Sequence, residues 1–200
     1  MYNCVKSSRV SPEHICSDRT PEISEQADNR NSTGEVRTGR RFERMVGNYP
    51  VPLPTARTEL EATFSEFVRR ADKAANVGDW SAWSEMFTDD AHYVEPTYGE
   101  FHGRAAIRQW MSSTMATSPG ADMIAFPVHW HVVDERRGAV VARFGNRLRD
   151  PGNGNIHEPW NLAVLTYGGD GRWAGERDVY DVANFGAEIM AWVAARDACS

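Results

Sequence analysis

The chain has 200 residues, 41% of them hydrophobic and 25% charged, with a formal net charge of −6. That length suits one domain, or one domain and a tail, with enough apolar residues for a sizeable core. No apolar run approaches the ~20 residues of a membrane span, and the acidic balance argues against nucleic acid as the main partner, since phosphate neutralisation needs a basic surface. The opening MYNCVKSSRVSPEHICSD has no apolar stretch of the secretory kind, so a cytoplasmic protein is expected. Cys4, Cys16 and Cys199 are odd in number, lie near the chain ends and lack CxxC spacing. A disulfide framework, a zinc site and a cysteine nucleophile are therefore not expected.

In chain order, residues 1–50 hold only three aromatics, Tyr2, Phe42 and Tyr49, and none of the seven tryptophans. Eight Lys/Arg nearly cancel seven Asp/Glu there. Such a stretch buries too little apolar surface to offset chain entropy, which predicts a disordered tail over 1–50 and one domain over 51–200. The basic run RTGRRFERM at 37–45 reads as a solvated part of that tail, and Met45 is an alternative translation start. YPVPLP at 49–54 reads as an extended, polyproline-like lead-in. Thr58 and Glu61 have capping-box spacing, and Leu60, Phe64, Phe67, Val68, Ala71 and Ala75 follow the helical period as far as Gly78. A short helix with Trp80, Trp83 and Phe87 should end at TDD (88–90). AHYVEPTY (91–98) reads as a strand, and Gly103 opens a third helix with Ile107, Trp110, Met111 and Met115.

The rest alternates as strands. FPVHWHVVDE (126–135) and AVVARFGNRLR (139–149) come first, DPGNGN (150–155) is the turn to HEPWNLAVLTY (157–167), and GGDG (168–171) leads to WAGERDVYDV (173–182). Phe185, Ile189, Trp192 and Val193 then space a terminal amphipathic helix. Helices gathered at one end and a strand meander at the other predict an α+β domain, with helices covering one face of a curved antiparallel sheet.

The stretch NVGDWSAWSEMFTDDAHYVEPTYGEFHGRAAIRQWM resembles the first half of nuclear-transport-factor-2-like domains of the SnoaL-like group. That group has a helix ending at Gly-Asp, an aromatic helix, an F-x-D-D-A step, a strand, and h-G-x-x-x-I opening the third helix. The resemblance covers roughly 55–182. It implies a cone-shaped α+β domain, with the N-terminal helices on the concave face of the sheet and a C-terminal helix, a pocket between helices and sheet, and a homodimer. The family includes ketosteroid isomerases, dehydratases, polyketide cyclases, epoxide hydrolases and non-catalytic binders, so the fold alone assigns no activity.

In the isomerases the DDA step is followed four residues later by a catalytic carboxylate and then Pro. Asp89-Asp90-Ala91 here is followed by Glu95-Pro96, which carries that position onto Glu95. Strand alternation puts Tyr93 on the same face. A carboxylate in an apolar pocket suits acid–base work near neutral pH, whereas an exposed Glu before Pro would merely cap a loop. The ERDVYD stretch (176–181) is similar to the last strand of the limonene-type epoxide hydrolases, whose catalytic Asp falls on Asp178. Alternation gathers Glu176, Asp178 and Tyr180 on one face and Arg177, Val179 and Asp181 on the other. His129 and His131 share one face of their strand and read as pocket acid–base auxiliaries, as two ligands of a metal, or as surface groups. No metal is expected. His92, His102 and His157 read as surface residues. Trp83, Trp110 and Trp160 are candidate pocket lining or ordinary core.

Other positions depart from the family patterns. The isomerase Tyr position is Ala71, the dehydratase Asp and His fall at Asn76 and near Ala125, and Arg147 is followed at i+2 by Arg149 rather than Asp. No characterised site is complete. GxSxG, GxxxxGK[ST] and GxGxxG are absent, so no cofactor is expected. Two functions remain open. One is a cofactor-independent enzyme of isomerase, dehydratase, cyclase or epoxide-hydrolase type acting on a small apolar, oxygenated molecule. Its candidate site is Glu95, Asp178, Tyr93, Tyr180, His129 and His131. The other is a ligand-binding or dimerising module of the same fold.

Overall fold

The structure, a computed structural model, describes residues 42–46, 49–52 and 55–199. The expected tail over 1–50 lies largely outside the described residues, as do Cys4 and Cys16. Within it, β1 (Phe42–Val46) and β2 (Tyr49–Pro52) pair antiparallel, so the extended lead-in is one side of a two-stranded ladder.

Helix α1 (Arg57–Val77) buries Leu60, Phe64, Phe67, Ala71 and Ala74, the apolar stripe of its 3.6-residue period. It ends at Gly78, whose positive φ of 75° lets its N–H reach the Ala74 carbonyl at 2.7 Å. The predicted capping box does not form. The helix starts at Arg57, so Thr58 is already inside the first turn, and Glu61 pairs with Arg57 at 3.0 Å.

After the single turn of α2 (Ser81–Ser84), strand β3 (Phe87–Glu95) begins four residues earlier than its local pattern suggests. Long-range pairing overrides the helical spacing of Trp80, Trp83 and Phe87. β3 runs parallel to the last strand, β10 (Arg172–Val179), with Trp173 opposite Phe87, and the Trp173 N–H bonds the Met86 carbonyl at 2.7 Å. β4 (Gly99–His102) folds back on β3, and α3 (Arg104–Thr114) follows Gly103.

The remaining strands are β5 (Met123–Ala125), β6 (Val128–Asp134), β7 (Ala139–Gly145), β8 (Arg147–Leu148) and β9 (Trp160–Gly169). The main sheet is a curved, mixed, six-stranded one in the order β4-β3-β10-β9-β7-β6, with the β10–β3 pair parallel. The hairpin of β7 and β9 closes at Gly145–Trp160. DPGNGN is therefore part of a long connection that also carries β8, paired with β5. GGDG is the turn between β9 and β10, with Asp170 at φ 52°. Helix α4 (Val182–Cys199) ends the fold, and its buried Trp192 donates Nε1–H to the Arg149 carbonyl at 2.7 Å. His157, expected in solvent, is instead largely covered, with Nδ1 3.0 Å from a Glu188 carboxylate oxygen on α4. Among the described residues, no helix is long and apolar enough to cross a membrane.

The core sits between α1, α2, α3 and the inner face of the sheet. Leu60, Phe87, Ile107, Val140, Leu165 and Trp173 are fully buried there. Aromatic contacts knit it together, with Phe67–Trp83 centroids 5.4 Å apart and Trp83–Phe87 centroids 5.0 Å apart in edge-to-face geometry.

The parallel β3–β10 pair is tight at Gly175. A Cβ built there would lie 2.5 Å from the His92 carbonyl oxygen, a backbone atom with little room to yield. Gly175→Ala is expected to destabilise the domain by about 1–3 kcal/mol, read as a lower urea midpoint at unchanged slope.

Candidate functional site

Alternation along β3 turns Tyr93 and Glu95 inward, and the register pairs Tyr93 with Glu176 on β10. β10 in turn directs Glu176 and Asp178 inward, with Tyr180 just past its end. On β9 the inward set is Asn161, Ala163 and Leu165. Glu95, Glu176 and Asp178 are 7%, 6% and 9% exposed. They line one cavity of about 790 Å³. Its apolar wall includes Phe67, Trp83, Trp110, Phe144, Phe185 and Met190, and no Lys, Arg or His is among the described lining residues.

The three carboxyls are held differently. Asp178 accepts from the Tyr93 hydroxyl through Oδ2 at 2.6 Å and from Asn161 Nδ2 through Oδ1 at 2.6 Å. Asn161 is oriented in turn by Asn146 Nδ2, which donates to its Oδ1 at 3.0 Å. Glu95 accepts the backbone N–H groups of Thr97 and Tyr98 at Oε2, both at 2.6 Å, and the Tyr180 hydroxyl at Oε1. With three donors on its two oxygens, Glu95 is bound as a satisfied carboxylate. Glu176 differs from both: its Oε2 is buried with no hydrogen-bond partner among the described residues.

Burial dominates the electrostatics. It pushes the Asp178 carboxyl up to about 7, against the opposing hydrogen bonds from Tyr93 and Asn161, and the nearby Glu95 charge adds to the rise. Burial, reinforced by the Asp178 charge, raises Glu176 well above the ordinary carboxyl range. Burial and then Asp178 likewise raise the Tyr93 hydroxyl, and burial with the Glu95 hydrogen bond raises Tyr180. An acid poised near 7 beside another that burial raises is a pair able to accept one proton and donate another.

Six of the nine predicted residues meet at this cavity: Glu95, Asp178, Tyr93, Tyr180, Trp83 and Trp110. The other three do not. His129 is exposed, with Nε2 2.8 Å from a Glu158 carboxylate oxygen, and the His131 ring, also exposed, packs 5.0 Å from Phe64. Both sit on β6, an edge strand three ladders from β10, or about 14 Å at normal strand spacing, and a register shift between Val128 and Trp130 breaks their simple alternation. Trp160 points outward beneath the Arg143 guanidinium, 4.7 Å from its carbon, because its neighbour Asn161 takes the inward place. Asn161 and Asn146 belong to no recognised motif in the sequence. For Asn161 a signal existed: it is two residues before Ala163 and four before Leu165, on the buried parity of β9.

The sequence profile of the SnoaL-like domain matches residues 68–176. Solved structures resemble the chain in fold. An LEH-like epoxide hydrolase from M. tuberculosis aligns at 18% identity and TM-score 0.53, over 72% of this chain and 98% of that one. Bal32a from a soil-derived mobile gene cassette aligns at 21% identity and TM-score 0.50, over 66% and 98%. An NTF2-like protein from Anabaena variabilis aligns at 13% and TM-score 0.50, over 64% and 93%. No protein with a curated description matches.

A carboxyl raised from 3.8 to about 7 in the folded state favours folding while it is protonated. That contribution is complete below pH 3.8 and is lost as pH rises through 7. Wild type is therefore expected to lose stability relative to Asp178→Asn between pH 4 and 8, by on the order of 2–4 kcal/mol, in urea titrations across that range. A parallel pH dependence of the two proteins would contradict the buried-acid geometry.

Proposed function

Since the chain belongs to the SnoaL-like domain family, and its cavity sets two buried acids against an aromatic wall, we propose that it is an enzyme moving protons on a small, apolar, oxygenated molecule. The observation that carries this reading is the Asp178 carboxyl, held at both oxygens by Tyr93 and Asn161 and buried without a cation among the described lining residues. Ionised Asp178 is the base. It takes a proton from a substrate carbon or from a water molecule, and Tyr93 and Asn161 fix its orientation. Glu176, kept protonated, donates from its unpartnered end to the substrate oxygen that gains electron density. One proton is accepted and one delivered, as isomerisation, dehydration, cyclisation or water addition to a strained ring each require. Glu95 is a positioning residue: it holds the 96–98 turn and the Tyr180 hydroxyl at the cavity wall. The cavity volume and its mostly apolar lining with few polar groups suit such a substrate. The rival reading, a binding module, shares every feature except turnover.

With a substrate found by thermal-shift screening of terpenoid epoxides, sterols and aromatic polyketides, Asp178→Asn is expected to lower kcat by about 10²–10⁴-fold. Ligand-induced stabilisation should persist in the variant. The wild-type rate should rise with pH through about 7, as the base ionises. Ligand binding without product at any pH favours the binding module.

We also propose that the chain forms a two-fold homodimer through the outer face of the sheet. Register lines up Val132, Val141 and Val164 across the β6, β7 and β9 part of that face. Trp130 and Val179 lie in the neighbouring row, and Trp130, Val132 and Val179 are largely exposed. Light scattering is expected to give twice the 22.4 kDa chain mass, and Val132→Asp to give a monomer. A wild-type monomer at micromolar concentration would refute the dimer.

A further inference from the structure

The side chains on the back of the site strand form a cluster that the proposed chemistry does not use. β3 turns Tyr93 and Glu95 into the cavity, so His92 faces out. β4 pairs His102 directly opposite His92, and Glu100, two residues before His102, shares its face. The two imidazoles stack at 4.4 Å with planes 12° apart. Both turn a ring nitrogen to one Glu100 oxygen: His92 Nε2 lies 2.9 Å and His102 Nε2 3.9 Å from Oε2. On the other side of His92 the paired residue is Gly175, which has no side chain to crowd the cluster.

We propose that His92, Glu100 and His102 bind a divalent late first-row metal ion, Zn²⁺ being the best match, on the outer face of the β3–β4 hairpin. The ligand set is two imidazole nitrogens and a carboxylate oxygen, the borderline donors that Zn²⁺ takes and that Mg²⁺ and Ca²⁺ avoid. The three donor atoms lie within 4.8 Å of one another. Around a tetrahedral ion with bonds of ~2.0–2.1 Å, donors stand about 3.3 Å apart. Closing from the observed spacing takes movements of about an ångström in side chains that are 41%, 56% and 72% exposed, so no core packing opposes it. The ion takes the place between His92 and Glu100 that a ring proton bridges without it. Each imidazole binds as the tautomer carrying its proton on Nδ1, and solvent fills the fourth position. Bound there, the ion ties edge strand β4 to β3 around the 96–98 turn, whose backbone N–H groups hold Glu95.

The test is isothermal titration of the full-length protein with Zn²⁺, with Co²⁺ absorption as a second readout. Wild type should take up one ion that excess Mg²⁺ does not displace, and its melting temperature should rise with Zn²⁺. His92→Ala and His102→Ala should each weaken that event at least tenfold, as should Glu100→Gln, which keeps size and a hydrogen bond but removes the charge. His129→Ala and His131→Ala, in the other closely spaced histidine pair, should bind as wild type. Melting without metal checks that each variant folds. Absence of Zn²⁺ uptake by wild type, or uptake that survives all three cluster substitutions, would overturn the proposal.

Discussion

The hydrogen bond from the Tyr93 hydroxyl to Asp178 joins the two halves of the fold at its most costly point. A carboxyl inside a protein resists ionisation unless dipoles or cations compensate. Here the compensation is two neutral donors, one from β3 and one from β9, and no Lys, Arg or His is among the described cavity-lining residues. Two donors are too few to keep Asp178 at its ordinary acidity, and burial raises Glu176 as well, whose Oε2 has no hydrogen-bond partner among the described residues. The asymmetry between two acids on one strand follows from which inward-facing neighbours each one meets.

The same accounting separates Glu95 from its neighbours. All three acids are buried to a similar degree, yet Glu95 sits at the end of β3, where the chain turns at 96–98 and offers two free backbone N–H groups. Those amides would need acceptors in any case, and the carboxylate serves them. A turn after a strand thus supplies Glu95 with donors, while the same residue type in mid-strand on β10 has an oxygen with no partner among the described residues. Raised carboxyls also make the domain less stable as pH rises.

Much of this was legible in the chain. The Leu60–Ala71 stripe, the shared face of Glu176 and Asp178, and the family spacing of Glu95 and Pro96 each rest on local pattern, which the tertiary structure keeps. What local pattern could not give was the partner of each strand. Phe87 carries helical spacing with Trp83, yet Trp173, 86 residues on, recruits it into a parallel ladder. His129 and His131 alternate in the sequence, but a register shift and an edge position in the sheet order take them from the cavity, and no periodicity encodes either. Trp160 reads from the sequence as pocket lining or core, whereas its polar neighbour Asn161 holds the buried parity of β9. Polar residues on a buried parity are the signal to follow in such chains, because they must find partners.

The parallel pairing of β3 with β10 also sets when the site can exist. Tyr93 and Asp178 are 85 residues apart, and β10 lies between β9 and β3 in the sheet. Loop closure of that length carries an entropic cost that only a nearly complete sheet offsets. A nascent chain therefore displays the helices and β3 long before it owns a cavity, and a fragment ending before β10 would lack both acids of the pair. Occupancy of the cavity by a ligand consequently reports the last strand's arrival, which makes ligand binding a probe of late folding as much as of chemistry.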